Sequence, residues 1–310
     1  MTGICKDWVV VVSGAGRGIG RSHALEFARQ GAKVVVNDLG AEVDGTGSSI
    51  GPADEVVNEI RSMGGEAVLN GDDVSDWDGA GRLIQTALDS FGRLDVLVNN
   101  AGILRDRMLV NMTIDEWDAV IKVHLRGTFA PTRHAVDHWR AQSKAGHAVD
   151  ARVINTSSPS GIYGNVGQTN YGAAKAGIAS FTVIAAKELG RYGVTVNAIS
   201  PAAGTRMTDN LNPNRPETKR EDGWDPRSPD NISPLVVWLG SPLSGDITGR
   251  VFNVVGGRVS VAEGWAKGPE VTKDGQWDPV ELGELIPDMV AKAQPNSEMN
   301  GEPPRGEASV

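Results

Sequence analysis

Three side chains have the types and spacing to move a proton on and off a secondary alcohol: Ser158, Tyr171 and Lys175. Tyr171 and Lys175 stand four positions apart, so on a helix they share one face about one turn from each other. An ammonium beside a phenol favours the phenolate, which is expected to bring Tyr171 below the ordinary tyrosine pKa of about 10. Tyr171 then suits a general base for a hydroxyl proton, or an acid for a carbonyl. Ser158, at the end of a run Thr156-Ser157-Ser158, can donate to the same oxygen and hold it.

Such a site needs a partner to take the hydride, and the start of the chain supplies a place for one. Ser13-Gly14-Ala15-Gly16-Arg17-Gly18-Ile19-Gly20 follows an apolar run and opens an amphipathic segment. Gly14, Gly18 and Gly20 allow a tight turn, a close approach to a pyrophosphate and close helix–strand packing. Arg17, Ile19 and the first N–H groups of the helix belong to the same cradle. Asp38, at the end of the next strand, can accept both ribose hydroxyls and would repel a 2′-phosphate, which favours NAD over NADP. Asp73 and Val74 offer a carboxylate and an apolar wall for the adenine. Asn99, Ala101 and Gly102 are expected to form a turn beside the ribose, and the turn from Pro201 to Thr205 is expected to present the Thr205 hydroxyl to the nicotinamide carboxamide.

The elements that must carry these residues are legible as alternating strand and helix patterns. Strands are expected at Trp8–Ser13, Lys33–Asn37, Glu66–Asn70, Leu94–Asn99, Ala151–Ser157, Val194–Ser200 and Arg250–Val255. Val9 through Val12 and Val34 through Val36 are apolar on both faces, as in parallel strands covered by helices on each side. Helices are expected at Gly18–Gln30, Ala53–Met63, Asp76–Phe91, Ile114–Gln142, Tyr171–Tyr192 and Ser233–Leu239. Repeated alternation of this kind gives one α/β domain with a doubly wound parallel sheet and helices on both faces. That domain is expected over residues 1–270, with an aperiodic substrate loop at 202–232. A C-terminal extension follows at 271–293, and the polar, proline-containing 294–310 is expected to be a tail without fixed structure.

Bulk properties narrow the partners. A formal charge of −9 over 310 residues argues against a nucleic-acid surface. The single cysteine, Cys5, has no partner for a disulfide or a redox pair. No signal-like opening or run of about 18 apolar residues suggests a membrane, so a cytoplasmic protein is expected. His134 and His138 are one helical turn apart but lack a third ligand, so no metal is expected.

The glycine turn, Asn99-Asn100-Ala101-Gly102, Ser158 with Tyr171 and Lys175, and Asn197 through Pro201 resemble the short-chain dehydrogenase/reductase family over roughly residues 5–260. That resemblance implies a Rossmann-type seven-stranded sheet and a homodimer or homotetramer. Within the family, Val36 through Gly40, Asn99 through Arg107, His124 through Gly127 and Ser160 through Gln168 are similar to the (3R)-hydroxyacyl-CoA dehydrogenase part of peroxisomal multifunctional enzymes of type 2. The likeness continues at Gly256-Gly257 and Ala262 through Trp265. It implies NAD as cofactor and a 3-hydroxyacyl-CoA thioester as substrate, with a 17β-hydroxysteroid as the alternative. His124 stands where the wider family has an asparagine that supports a water relay to the lysine. A histidine there can relay protons or satisfy a buried backbone group. A third reading, a nucleotide sensor that has lost catalysis, conflicts with the intact Ser158, Tyr171 and Lys175.

Overall fold

The computed structural model describes residues 3–205 and 220–304. Strands β1 (Val9–Ser13), β2 (Lys33–Asn37), β3 (Glu66–Asn70), β4 (Val96–Asn99), β5 (Ala151–Thr156), β6 (Val194–Ala202), β7 (Val251–Val255) and β8 (Arg258–Ala262) form one sheet. Their order is β3-β2-β1-β4-β5-β6-β7-β8. Every pairing from β3 to β7 is parallel, whereas β8 returns antiparallel on β7, with Val255 opposite Arg258 across a Gly256-Gly257 turn. The sheet therefore has eight strands and not the expected seven. The eighth, Arg-Val-Ser-Val-Ala, is a short solvent-facing edge whose first four residues are exposed.

The all-valine β1 explains the architecture. Val10 and Val12 enter one core with Phe27 of α1 (Gly18–Arg29), Ile60 of α2 (Gly51–Ser62) and Leu239 of α8 (Ser233–Leu239). Val9 and Val11 enter the other, with Leu83 of α3 (Trp77–Phe91), Trp139 of α5 (Gly127–Lys144) and Leu189 of α7 (Thr169–Leu189). Alternate side chains of one strand thus anchor helices on opposite faces, each buried valine contributing roughly 1.5 kcal/mol or more.

Two helical stretches differ from their sequence patterns in ways that matter to the site. The span expected as one helix from Ile114 to Gln142 is α4 (Ile114–Ile121), a widened π turn at Lys122–Arg126, and then α5. Hydrophobic spacing does not register the extra residue of such a turn, which recurs at functional sites. Between β5 and α7 a short helix, α6 (Pro159–Ile162), is capped by the Ser158 hydroxyl, which accepts from Ser160 N at 3.2 Å.

The C-terminal extension forms α9 (Pro279–Lys292), started by a capping box of Asp278 and Glu281, with no buried residue. Beyond it, residues 294–304 turn through Glu298 N–H to Glu302 O, with Gly301 against Tyr163. The expected structureless tail is thus described as far as residue 304, whereas 305–310 lie outside the described residues. So does 206–219, the middle of the substrate loop expected at 202–232.

Candidate active site

The carboxyl ends of β1, β2, β4, β5 and β6 open on a cavity of about 780 Å³, lined among others by Gly14, Asp38, Ala101, Ser158 and Pro201. This is the position where open parallel sheets bind ligands, beside the change in strand order. Gly14, Arg17, Gly18, Ile19 and Gly20 form its wall at the start of α1. Arg17 occupies the cap position without giving a side-chain hydrogen bond, so the first N–H groups of α1 have no side-chain acceptor. A Cβ on Gly20 would stand 2.1 Å from the Gly14 carbonyl oxygen and 2.5 Å from Asn100 Nδ2. Only glycine lets the helix come this close to β1.

Asp38 directly follows β2 with its carboxylate fixed from both sides, Oδ2 accepting from Gly16 N at 2.7 Å and Oδ1 from Gly40 N at 2.6 Å. Asp73 and Val74 line the cavity nearby, the former held by Ser75 N at 2.8 Å. At the other end Pro201 and Thr205 complete the wall. An uncapped helix start, a glycine cradle and an oriented carboxylate fit a dinucleotide.

Asn99 is the one expected contact that the structure places elsewhere. Its buried side chain donates to Thr132 Oγ1 and Asn155 Oδ1, both at 2.9 Å, tying β4 to α5 and β5. Asn100 lines the cavity instead, its side chain donating to Ser13 O at 3.0 Å and Gly14 O at 3.1 Å.

Ser158, Tyr171, Lys175 and His124 all face this cavity. Tyr171 sits in the first turn of α7, set by its neighbour Asn170, which is fully buried. The Asn170 side chain accepts from Tyr171 N at 2.7 Å and donates to Arg105 O at 3.0 Å and Glu116 O at 3.1 Å. Lys175 Nζ donates to Thr156 O at 2.6 Å and lies 5.5 Å from the centre of the Tyr171 ring.

Burial, not the lysine, dominates both titrations. It pushes Tyr171 up to about 12, a rise that the Asp106 carboxylate assists and a hydrogen bond with Ser158 opposes. Burial also brings Lys175 down to about 7. The expectation that the ammonium lowers the phenol's pKa is corrected: burial outweighs it, and a lysine this deeply desolvated carries its charge weakly.

His124 belongs to the widened turn and is buried. Its Nε2 lies 2.7 Å from Ile103 O and 3.1 Å from Ile103 N, so the ring answers a buried backbone group. Nδ1 has no hydrogen-bond partner. Burial and the nearby Lys175 bring its pKa down to about 3, which keeps it neutral. The ring meets Tyr171 edge to face at 5.1 Å and presses on Gly102, where a Cβ would be 2.3 Å from Cε1.

Several wall residues left no sequence signal. The segment after β2 contributes Leu39, Ala41, Glu42, Val43 and Gly45. It docks on the segment after β4, Leu104 N donating to Val43 O at 2.9 Å and Arg105 Nε to Asp44 O at 2.8 Å. Met299, from beyond α9, also lines the cavity. Among the described residues no group of three or more His, Cys, Asp or Glu could hold a metal, and no helix is long and apolar enough to cross a membrane.

A family model described as short chain dehydrogenase matches residues 8–216. The hydroxyacyl-CoA dehydrogenase ChsB1 of Mycobacterium tuberculosis is 44% identical over 294 residues, which cover 93% of this chain and 90% of that protein. Peroxisomal multifunctional enzyme type 2 of Mus musculus is 47% identical over 231 residues, 74% of this chain but 29% of that longer protein. A crystal structure of a short chain dehydrogenase from Mycobacterium avium is similar with a TM-score of 0.85 and 55% identity, covering 95% of this chain and 98% of its own.

Proposed function

The chain belongs to the short chain dehydrogenase family and is an oxidoreductase, and from that premise we propose that it interconverts 3-hydroxyacyl-CoA and 3-oxoacyl-CoA with NAD. The observation that carries this reading is the convergence of Ser158, Tyr171 and Lys175 on the cavity that also holds the glycine turn and Asp38. The acyl-CoA substrate is supported by the name of the Mycobacterium tuberculosis relative, to which the likeness extends over nearly the whole chain.

In this reading the Tyr171 Oη takes the hydroxyl proton of the substrate, and Ser158 donates to the same oxygen as it becomes a carbonyl. When bound, NAD supplies the hydride acceptor and a positive ring that favours the phenolate. Lys175, anchored on Thr156 O, stabilises that phenolate from below the ring. Gly14, Arg17, Gly18, Ile19 and Gly20 hold the pyrophosphate. Asp38 takes the ribose, Asp73 and Val74 the adenine, Ala101 and Gly102 the adjoining turn, and Pro201 and Thr205 the carboxamide. Residues 1–270 form the catalytic unit, which acts in the cytoplasm as a homodimer or homotetramer.

The test is NADH formation by the purified protein with (3R)- and (3S)-3-hydroxyacyl-CoA esters and a 17β-hydroxysteroid, with NADP as the control. Turnover of one hydroxyacyl-CoA enantiomer with NAD is expected. Turnover of the steroid alone would move the substrate class while keeping the same proton chemistry.

A further inference from the structure

We propose that Asp106 is a positioning residue for the proton-transfer pair, holding Ser158 and Tyr171 through Gln168 and setting a negative charge against the phenol. The proposal rests on the reading of Tyr171 as proton acceptor.

The geometry begins in the chain just past the Asn99–Gly102 turn. Gln168, the residue before α7, donates from Nε2 to Asp106 Oδ2 at 2.7 Å across 62 residues of sequence. Its Oε1 accepts from Ser160 Oγ at 2.7 Å and Asn165 Nδ2 at 2.9 Å. Ser160 N in turn donates to Ser158 Oγ at 3.2 Å. Arg107 N closes the seam on Gly167 O at 2.8 Å. A connected path thus runs from the Asp106 carboxylate to the Ser158 hydroxyl, and the same seam fixes the first turn of α7.

The seam needs an acceptor at position 106 but no charge. An asparagine oxygen would receive the Gln168 N–H equally well. The carboxylate's other oxygen, Oδ1, is buried without a partner, an arrangement that costs stability. Nor is the charge matched by its neighbours, since Arg105 is turned to Asp44 O at 2.8 Å and Arg107 to Glu116 at 2.9 Å. Facing Tyr171 are Lys175 from its own helix, His124 from the widened turn and Asp106 from the segment after β4. His124 is neutral and the Lys175 charge is weakened by burial, so Asp106 is the charge set against the phenol. The carboxylate raises the Tyr171 pKa, and burial raises that of Asp106 itself.

The experiment follows Tyr171 ionisation by tyrosinate absorbance in the NAD-saturated protein, as a difference from Tyr171→Phe. The chain has three tyrosines, which makes that subtraction clean. In Asp106→Asn the midpoint is expected to fall by about half a pH unit or more, with thermal stability unchanged or higher. An unchanged or raised midpoint overturns the proposal and leaves Asp106 a structural residue. Asp106→Ser removes the charge with a smaller side chain, so the result does not hang on one variant. Because the readout needs no turnover, it is separable from the reading beneath it, which fails instead if Tyr171→Phe keeps its rate.

Discussion

Lys175 reaches past the Tyr171 ring to the end of β5, its Nζ 2.6 Å from Thr156 O and 5.5 Å from the ring centre. A charge placed there is paid for in desolvation, and the folded pKa falls from 10.5 to about 7. Between those two values the unfolded chain binds the extra proton, so this group's contribution to stability improves as pH rises from about 7 to 10.5. Below that window its cost is full. Lys175→Met is therefore expected to melt roughly 3 °C or more above the wild type at pH 6. The gap should close toward pH 10.5, as differential scanning fluorimetry at several pH values would show.

Tyr171→Phe removes only the proton carrier. Turnover is expected to fall about 10²- to 10⁴-fold, the usual worth of a general base, with NADH affinity within about twofold of wild type. Steady-state rates and fluorescence titration with NADH check the two halves. An unchanged rate would sink the mechanism.

Asp38 has two tasks that one substitution separates. Asp38→Asn keeps an acceptor for Gly16 or Gly40 N–H but drops the charge that repels a 2′-phosphate. The ratio of kcat/KM for NAD over NADP should fall roughly 10- to 100-fold, about 1.4–3 kcal/mol of discrimination. Parallel kinetics with both cofactors read it directly, and an unaltered ratio would remove Asp38 from the specificity argument.

Two glycines of one turn should respond differently to alanine. Gly20→Ala would drive a Cβ onto the Gly14 carbonyl at 2.1 Å, which backbone cannot relieve cheaply, so dinucleotide binding and folding should both suffer. Gly18 has φ +54° but its Cβ would be in ordinary contact with the Thr205 side chain, 3.5 Å from Cγ2 and 3.7 Å from Cβ. Gly18→Ala is expected to cost about 1 kcal/mol through strain alone. Urea melts of the two variants, compared with and without NADH, distinguish the cases.

His124, with its pKa near 3 in the fold against 6.5 when free, is neutral wherever the enzyme is assayed near neutrality. His124→Asn should leave no missing limb in a pH–rate profile above pH 6. Since the unfolded chain takes up the proton between 6.5 and about 3, the wild type loses stability as pH drops through that range. The variant should lose less, by up to one proton's worth, although His23, brought down to about 3 by burial, keeps part of the slope. Thermal midpoints between pH 7 and 4 measure this.

What the sequence made legible was local: valine runs buried on both faces, a glycine turn entering a helix, and a tyrosine and lysine one turn apart. These signals lie within a few residues of one another, and periodicity or spacing reports them. Desolvation is not local, so the lowered Tyr171 pKa expected from Lys175 gave way to a raised one. The Asp106–Gln168 contact joins residues 62 positions apart with no shared motif. The widened turn under His124 keeps its apolar spacing and reads as plain helix. β8 carries Val259 and Val261 on an exposed edge, and Asn99 braces the sheet while Asn100, of the same type, lines the cavity.

The segment after β2 touches both halves of the cavity, running from Asp38 to a dock on Leu104 and Arg105. For anyone re-engineering this scaffold, residue 38 is therefore not an isolated dial. Exchanging cofactor preference by grafting means transplanting 38–50 together with 103–105 as one module, because a foreign loop that loses its dock would also redraw the pocket next door.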